Sequence, residues 1–148
     1  MHFPFRIDPK CTFSHIYPEW RTICLRKQRM PSTLSKTKTI LVVEDEDVTR
    51  KLITMVLRQE GYAVLEAADS EAAEHIHRRN RGRIDLLLTD VSLPGPNGPE
   101  LVATLRKSEP DLQVLFMSGM PQAEAYMPFL KKPFGVAELL HRVGSSVA

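Results

Sequence analysis

The sequence predicts an α/β fold, a doubly wound parallel sheet with helices on both faces. Three observations predict it. From Thr39 onward, short apolar runs alternate with stretches of helical periodicity, about five times over. The apolar runs are continuous rather than alternating, as strands buried on both faces require. Turn residues punctuate the junctions. A βα order repeated in this way argues for a parallel sheet, because each crossover helix returns the chain to the same end of the sheet.

Each element follows from its residues. Thr39–Val43 (TILVV) is a β-branched, apolar first strand. Asp47–Glu60 reads as a helix with Val48, Leu52, Met55 and Val56 as its apolar stripe, stopped by Gly61. Tyr62–Glu66 reads as the second strand. Asp69–Asn80 is a helix capped by Asp69 or Ser70, with Ala72, Ala73 and Ile76 inward. Its His75 and His77, like His141 later, are expected on polar, solvated faces. Ile84–Thr89 is a third buried strand running into Asp90. The stretch VSLPGPNG is loop, and Pro99–Ser108 is a helix with Leu101, Val102 and Leu105 on one side. Leu112–Met117 is the fourth strand and Met127–Lys131 the fifth, with Pro128 limiting its ladder bonds. Val136–Val147 is the last helix, with Val136, Leu139, Leu140, Val143 and Val147 on one face.

Composition narrows the class. Of 148 residues, 43% are hydrophobic and 26% charged, the balance of an ordinary globular chain. There is no long apolar run and no secretory pattern at the start, so a cytoplasmic protein without a membrane span is expected. Residues 1–38 carry eight basic side chains against Asp8 and Glu19, a net of +6, which leaves the remainder at −4. Residues 1–37 are therefore read as a basic extension, either a solvated tail or, up to residue 29, an upstream start ahead of Met30. It has no recognisable nucleic-acid module. Cys11 and Cys24 lie in it and lack the further ligands that a zinc site needs. Residues 38–148 are expected to form the folded domain.

In an open parallel sheet, ligands bind beyond the carboxyl ends of the strands. Just past those ends stand Glu44, Asp45, Glu46 and Asp47, then Asp90, then Ser118 and Gly119, then Lys132 and Pro133. Clustered carboxylates need a cation, and an all-oxygen donor set selects a hard one such as magnesium. A metal and Lys132 can neutralise a phosphoryl group from two sides. An aspartate can serve as nucleophile, and Ser118 can donate to a phosphoryl oxygen. Glu46 and Asp47 are read as capping residues.

The segments ILVVEDED, LLLTDVSLPGPNG, VLFMSG and LKKPF resemble the signature blocks of response-regulator receiver domains, in the same order. The resemblance implies a flavodoxin-like sheet of order 2-1-3-4-5. It implies that Asp90 is the phosphoacceptor and that Glu44, Asp45, Asp90 and the backbone carbonyl of Ser92 hold Mg2+. It makes Ser118 the switch hydroxyl, Lys132 the lysine of the family's Lys-Pro pair, Pro133 the site of a cis peptide and Phe129 the aromatic switch. A histidine kinase or a histidine phosphotransfer protein is the implied phosphoryl donor, with a downstream target protein unidentified. The domain itself is expected to bind neither nucleic acid nor membrane, and to turn over no external metabolite.

One departure stands out. Ser118 and Lys132 are 14 positions apart, so at 1.5 Å per residue GMPQAEAYMPFL has room for one or two turns, a shortened fourth helix. In the family that the sequence resembles, the face formed by the fourth helix, fifth strand and fifth helix is the usual dimerisation and output surface. The expectation is therefore a monomer that does not dimerise through that face on phosphorylation, with output passing through partner proteins because no effector follows. A second reading keeps the fold and drops the chemistry: a phosphorylation-independent, receiver-like adaptor. A magnesium-dependent phosphatase is set aside, because Ser92 stands where such enzymes carry a second aspartate.

Overall fold

A computed structural model of the chain describes residues 36–120 and 128–148, and Thr37–Ala148 form one compact unit. Its elements are β1 (Thr39–Val43), α1 (Asp47–Gln59), β2 (Ala63–Ala67), α2 (Ser70–Arg79), β3 (Leu86–Asp90), α3 (Gly98–Arg106), β4 (Val114–Ser118), β5 (Phe129–Lys131) and α4 (Val136–Val147). The sheet is parallel throughout, in the order β2-β1-β3-β4-β5. This is the flavodoxin-like, doubly wound arrangement that the sequence predicts. The basic extension, both cysteines and the shortened fourth helix lie outside the described residues. Among the described residues no helix is long and apolar enough to cross a membrane.

Alternation along the strands divides the core in two. Leu41, Val43, Leu87 and Phe116 face α2 and α3 and pack on Ala73, Leu101, Val102 and Leu105. Ile40, Val42, Leu86, Leu88, Leu115 and Met117 face α1 and α4 and pack on Ile53, Val56, Leu57, Leu139 and Val143. The three central strands are fully covered, which is why their sequences are unbroken apolar runs.

Local chemistry starts the helices. Glu46 accepts the Thr49 N–H at 3.1 Å, and Asp69 accepts the Ala72 N–H at 2.7 Å. Asn97 and Glu100 form a reciprocal capping box at 2.9 and 2.8 Å. Gly61, at φ +101°, turns the chain out of α1.

Three expectations need correction. The stripe chosen for α1 mostly faces solvent: Val48 is 72% exposed, Leu52 54% and Met55 51%, whereas Ile53, Val56 and Leu57 are buried. The helix carries apolar residues around more than one arc, and periodicity does not say which arc meets the sheet. Val136 likewise points outward from α4, leaving Leu139 and Val143 as its buried anchors. His77 is 2% exposed rather than solvated, with its Nε2 2.7 Å from Glu109 Oε2 across the α2–α3 face. Strand limits also move by one or two residues. Ile84 and Leu112 are buried but precede β3 and β4, because the approach to a buried strand is itself apolar.

Candidate functional site

Parallel strands bring their carboxyl ends to one edge. Val43 pairs with Thr89, Asp90 with Met117, and Ser118 with Lys131. Glu44 and Asp45 leave β1 there, Asp90 ends β3, Ser118 ends β4, and Lys132 follows β5. The sequence-predicted residues therefore converge.

The Lys132 ammonium joins two of them. It donates to Glu44 Oε2 at 2.6 Å and to Asp90 Oδ2 at 2.5 Å. The other Asp90 oxygen accepts the Ser92 N–H at 2.8 Å. Glu44 is 1% exposed and Asp90 7%, while Asp45 is open to solvent. One carboxylate oxygen from each of Glu44, Asp45 and Asp90 lies within 4.8 Å of the others. Three carboxylates against one ammonium leave the cluster with a net charge of −2 when all are ionised. That charge, the spacing and the all-oxygen donors fit a hard divalent cation of the magnesium type.

Electrostatics express the same frustration. Burial pushes the Glu44 carboxyl above its ordinary value, with help from the Asp90 charge, and Lys132 only partly offsets this. Burial alone would pull Lys132 down, but its bonds to Asp90 and Glu44 outweigh it and hold the ammonium above its ordinary value. Ionised Glu44 therefore opposes folding at neutral pH. The Lys132 contribution is full below the ordinary lysine range and is lost as pH rises through its raised value.

Around this centre the other expected residues fall as follows. Ser118 is buried, and its Oγ accepts the Met120 N–H at 3.0 Å. Ser92 sits on the loop after β3 and donates its hydroxyl to Met120 Sδ at 3.0 Å. The Lys132–Pro133 peptide is cis. Phe129 is 8% exposed and packs inward with the α2–α3 core.

Two residues were missed by sequence reasoning. Gly98 begins α3 directly against the phosphoacceptor candidate's backbone: a Cβ there would stand 2.2 Å from the Asp90 carbonyl oxygen. Glycine in a Pro- and Gly-rich loop signals a turn, and nothing in spacing reveals a close approach. Gly98→Ala is expected to lose about 1–3 kcal/mol of stability through this overlap. A urea midpoint equal to wild type would contradict it. The second is Arg50, taken up below.

A family model described as the response regulator receiver domain matches residues 40–144. Sensor kinase CckA of Brucella abortus is 36% identical over 122 residues, covering 77% of this chain and 13% of that protein. Among solved structures, the receiver domain of the hybrid histidine kinase CckA is 42% identical with a TM-score of 0.67, covering 74% of this chain and 99% of that one. Response regulator protein TrrA of Thermotoga maritima, in complex with Mg2+ and BeF, is 28% identical with a TM-score of 0.66, covering 74% and 98%. Against the first curated relatives the chain spans between 13% and 50% of their length.

Proposed function

The chain belongs to the response regulator receiver domain family, and from that premise we propose that it accepts a phosphoryl group on Asp90 and signals the modified state to partner proteins. The donor is a phosphohistidine on a histidine kinase or a histidine phosphotransfer protein. The observation that carries this reading is the Lys132 ammonium held between Asp90 and buried Glu44, with Asp45 facing both.

The step is a displacement at phosphorus. A carboxylate oxygen of Asp90 attacks in line, the phosphorus–nitrogen bond to the donor imidazole breaks, and that nitrogen keeps the electron pair. The product is an acyl phosphate on Asp90. Glu44, Asp45, Asp90 and the Ser92 carbonyl are the groups to hold Mg2+, as the magnesium complex of TrrA supports. Bound there, the ion supplies positive charge against the phosphoryl oxygens. Lys132 supplies charge from the other side, and the Ser92 N–H steadies Asp90 for attack. Ser118, whose Oγ already accepts from Met120, turns its own O–H toward the phosphoryl group. Phe129, on the strand beside Ser118, is the aromatic whose packing reports the change. No external metabolite is turned over.

Acetyl phosphate with and without Mg2+, followed by intact mass, tests the proposal. Magnesium-dependent gain of one phosphoryl group is expected. No gain from any small donor or phosphohistidine protein would contradict it and favour the phosphorylation-independent adaptor.

A further inference from the structure

Only Glu44, Asp45 and Glu46 separate β1 from α1, and within this turn the Glu46 N–H donates to Glu44 Oε1 at 3.3 Å. Glu44 is tied at three further points. Its N–H donates to the Ala67 carbonyl at 3.1 Å, and its carboxylate meets Lys132. Its carbonyl accepts Arg50 Nη1 at 2.7 Å. Asp45 differs: among the described residues its carboxylate has no hydrogen bond or ion pair of its own. Its direction therefore depends on the backbone that carries it.

The Glu44 carbonyl and the Asp45 nitrogen share one planar peptide unit. Holding that oxygen holds the plane and the Asp45 Cα in it, while the Glu46 N–H bond to Glu44 Oε1 limits rotation on the far side of that Cα. Together they set the direction in which the Asp45 side chain leaves. We propose that Arg50 is a positioning residue for the cation site, bracing the Glu44–Asp45 peptide so that Asp45 faces Glu44 and Asp90. The geometry suits a brace more than a charge. Arg50 is only 13% exposed, and its other arm is engaged by Asp47 Oδ1. A bare positive charge beside this site would repel a cation. A planar fork that spans a carbonyl and a carboxylate is something a lysine ammonium cannot reproduce. The inference rests on the proposed Mg2+ site.

The test is Mg2+ binding by the full chain, followed by calorimetry, so it needs no phosphoryl transfer. Outer groups that orient metal ligands are worth about 10–100-fold in affinity. Arg50→Ala is expected to weaken Mg2+ binding by about that factor, and Arg50→Lys to stay weak, with both variants folded by circular dichroism. In the Asp45→Ala background, Arg50→Ala should cost little more, because the residue it positions is gone. Wild-type affinity in Arg50→Ala, full rescue by lysine, or fully additive losses in the double variant would each overturn the brace. Wild-type protein that binds no Mg2+ would overturn the site reading, and the brace with it.

Discussion

Asp90→Asn is expected to take up no phosphoryl group from acetyl phosphate under conditions that modify the wild type. Asparagine keeps the shape and still offers an oxygen to the Ser92 N–H. It lacks the ionised oxygen that must bond to phosphorus, so the loss is complete and not graded. Folding should survive. The substitution removes a negative charge from a cluster already in excess, and Glu44 remains for Lys132 to bond. With Asp90 neutral, the Glu44 carboxyl, raised by burial and by that neighbouring charge, moves back toward its ordinary value. Phosphoryl uptake measured by intact mass, beside a urea curve, checks both parts. Uptake retained in Asp90→Asn would place the acceptor elsewhere.

Lys132→Ala has the second large effect, and it has two faces. Without the ammonium, one side of the phosphoryl group loses its stabilising charge. Loss of a comparable donor elsewhere costs about 10²–10³-fold in rate, and a slowing of that order is expected here. Stability falls as well, because Glu44 stays buried with no cation beside it. Lys132 is a quarter exposed, so the loss in EDTA should be about 1–3 kcal/mol rather than that of a fully buried pair. Mg2+ should restore part of it by supplying the missing charge. The pH dependence follows from the two raised groups. The gap between wild type and variant narrows as pH falls toward the raised Glu44 value, because the variant, lacking the lowering bond to Lys132, neutralises that carboxyl first. It narrows again at high pH, as wild-type Lys132 itself loses its proton. Urea midpoints across pH, with EDTA or Mg2+, measure this; a variant as stable as wild type in EDTA would contradict it.

Much of this architecture is written in local patterns. β1 and α4 have the limits that the apolar runs predict, Thr39–Val43 and Val136–Val147. Strand ends are legible because a buried strand changes character abruptly, from LLLT to Asp90 and from VLFM to Ser118. That change also makes the site legible: a parallel sheet converts positions far apart in sequence into neighbours along one edge. Signals that depend on tertiary facing are not written this way. Whether Val48 or Ile53 of α1 meets the sheet is decided by how the helix lies on it. His77 reads as a solvated histidine in a polar helix, yet α3 and Glu109 close over it. Arg50 carries no signal of its own in the sequence, and only the structure shows one arm on Asp47 and the other on a backbone carbonyl six residues back. Gly98 reads as a turn residue, and only its distance from Asp90 reveals what it must avoid.

The most direct measurement is the site of modification. An acyl phosphate, unlike a phosphoserine or phosphohistidine, is reduced by borohydride to an alcohol. After treatment with acetyl phosphate and Mg2+, reduction and peptide mapping should find homoserine at position 90, in the peptide that carries Leu86–Asp90. Phosphoryl gain with the label on any other residue, or gain that borohydride does not convert, would contradict the account.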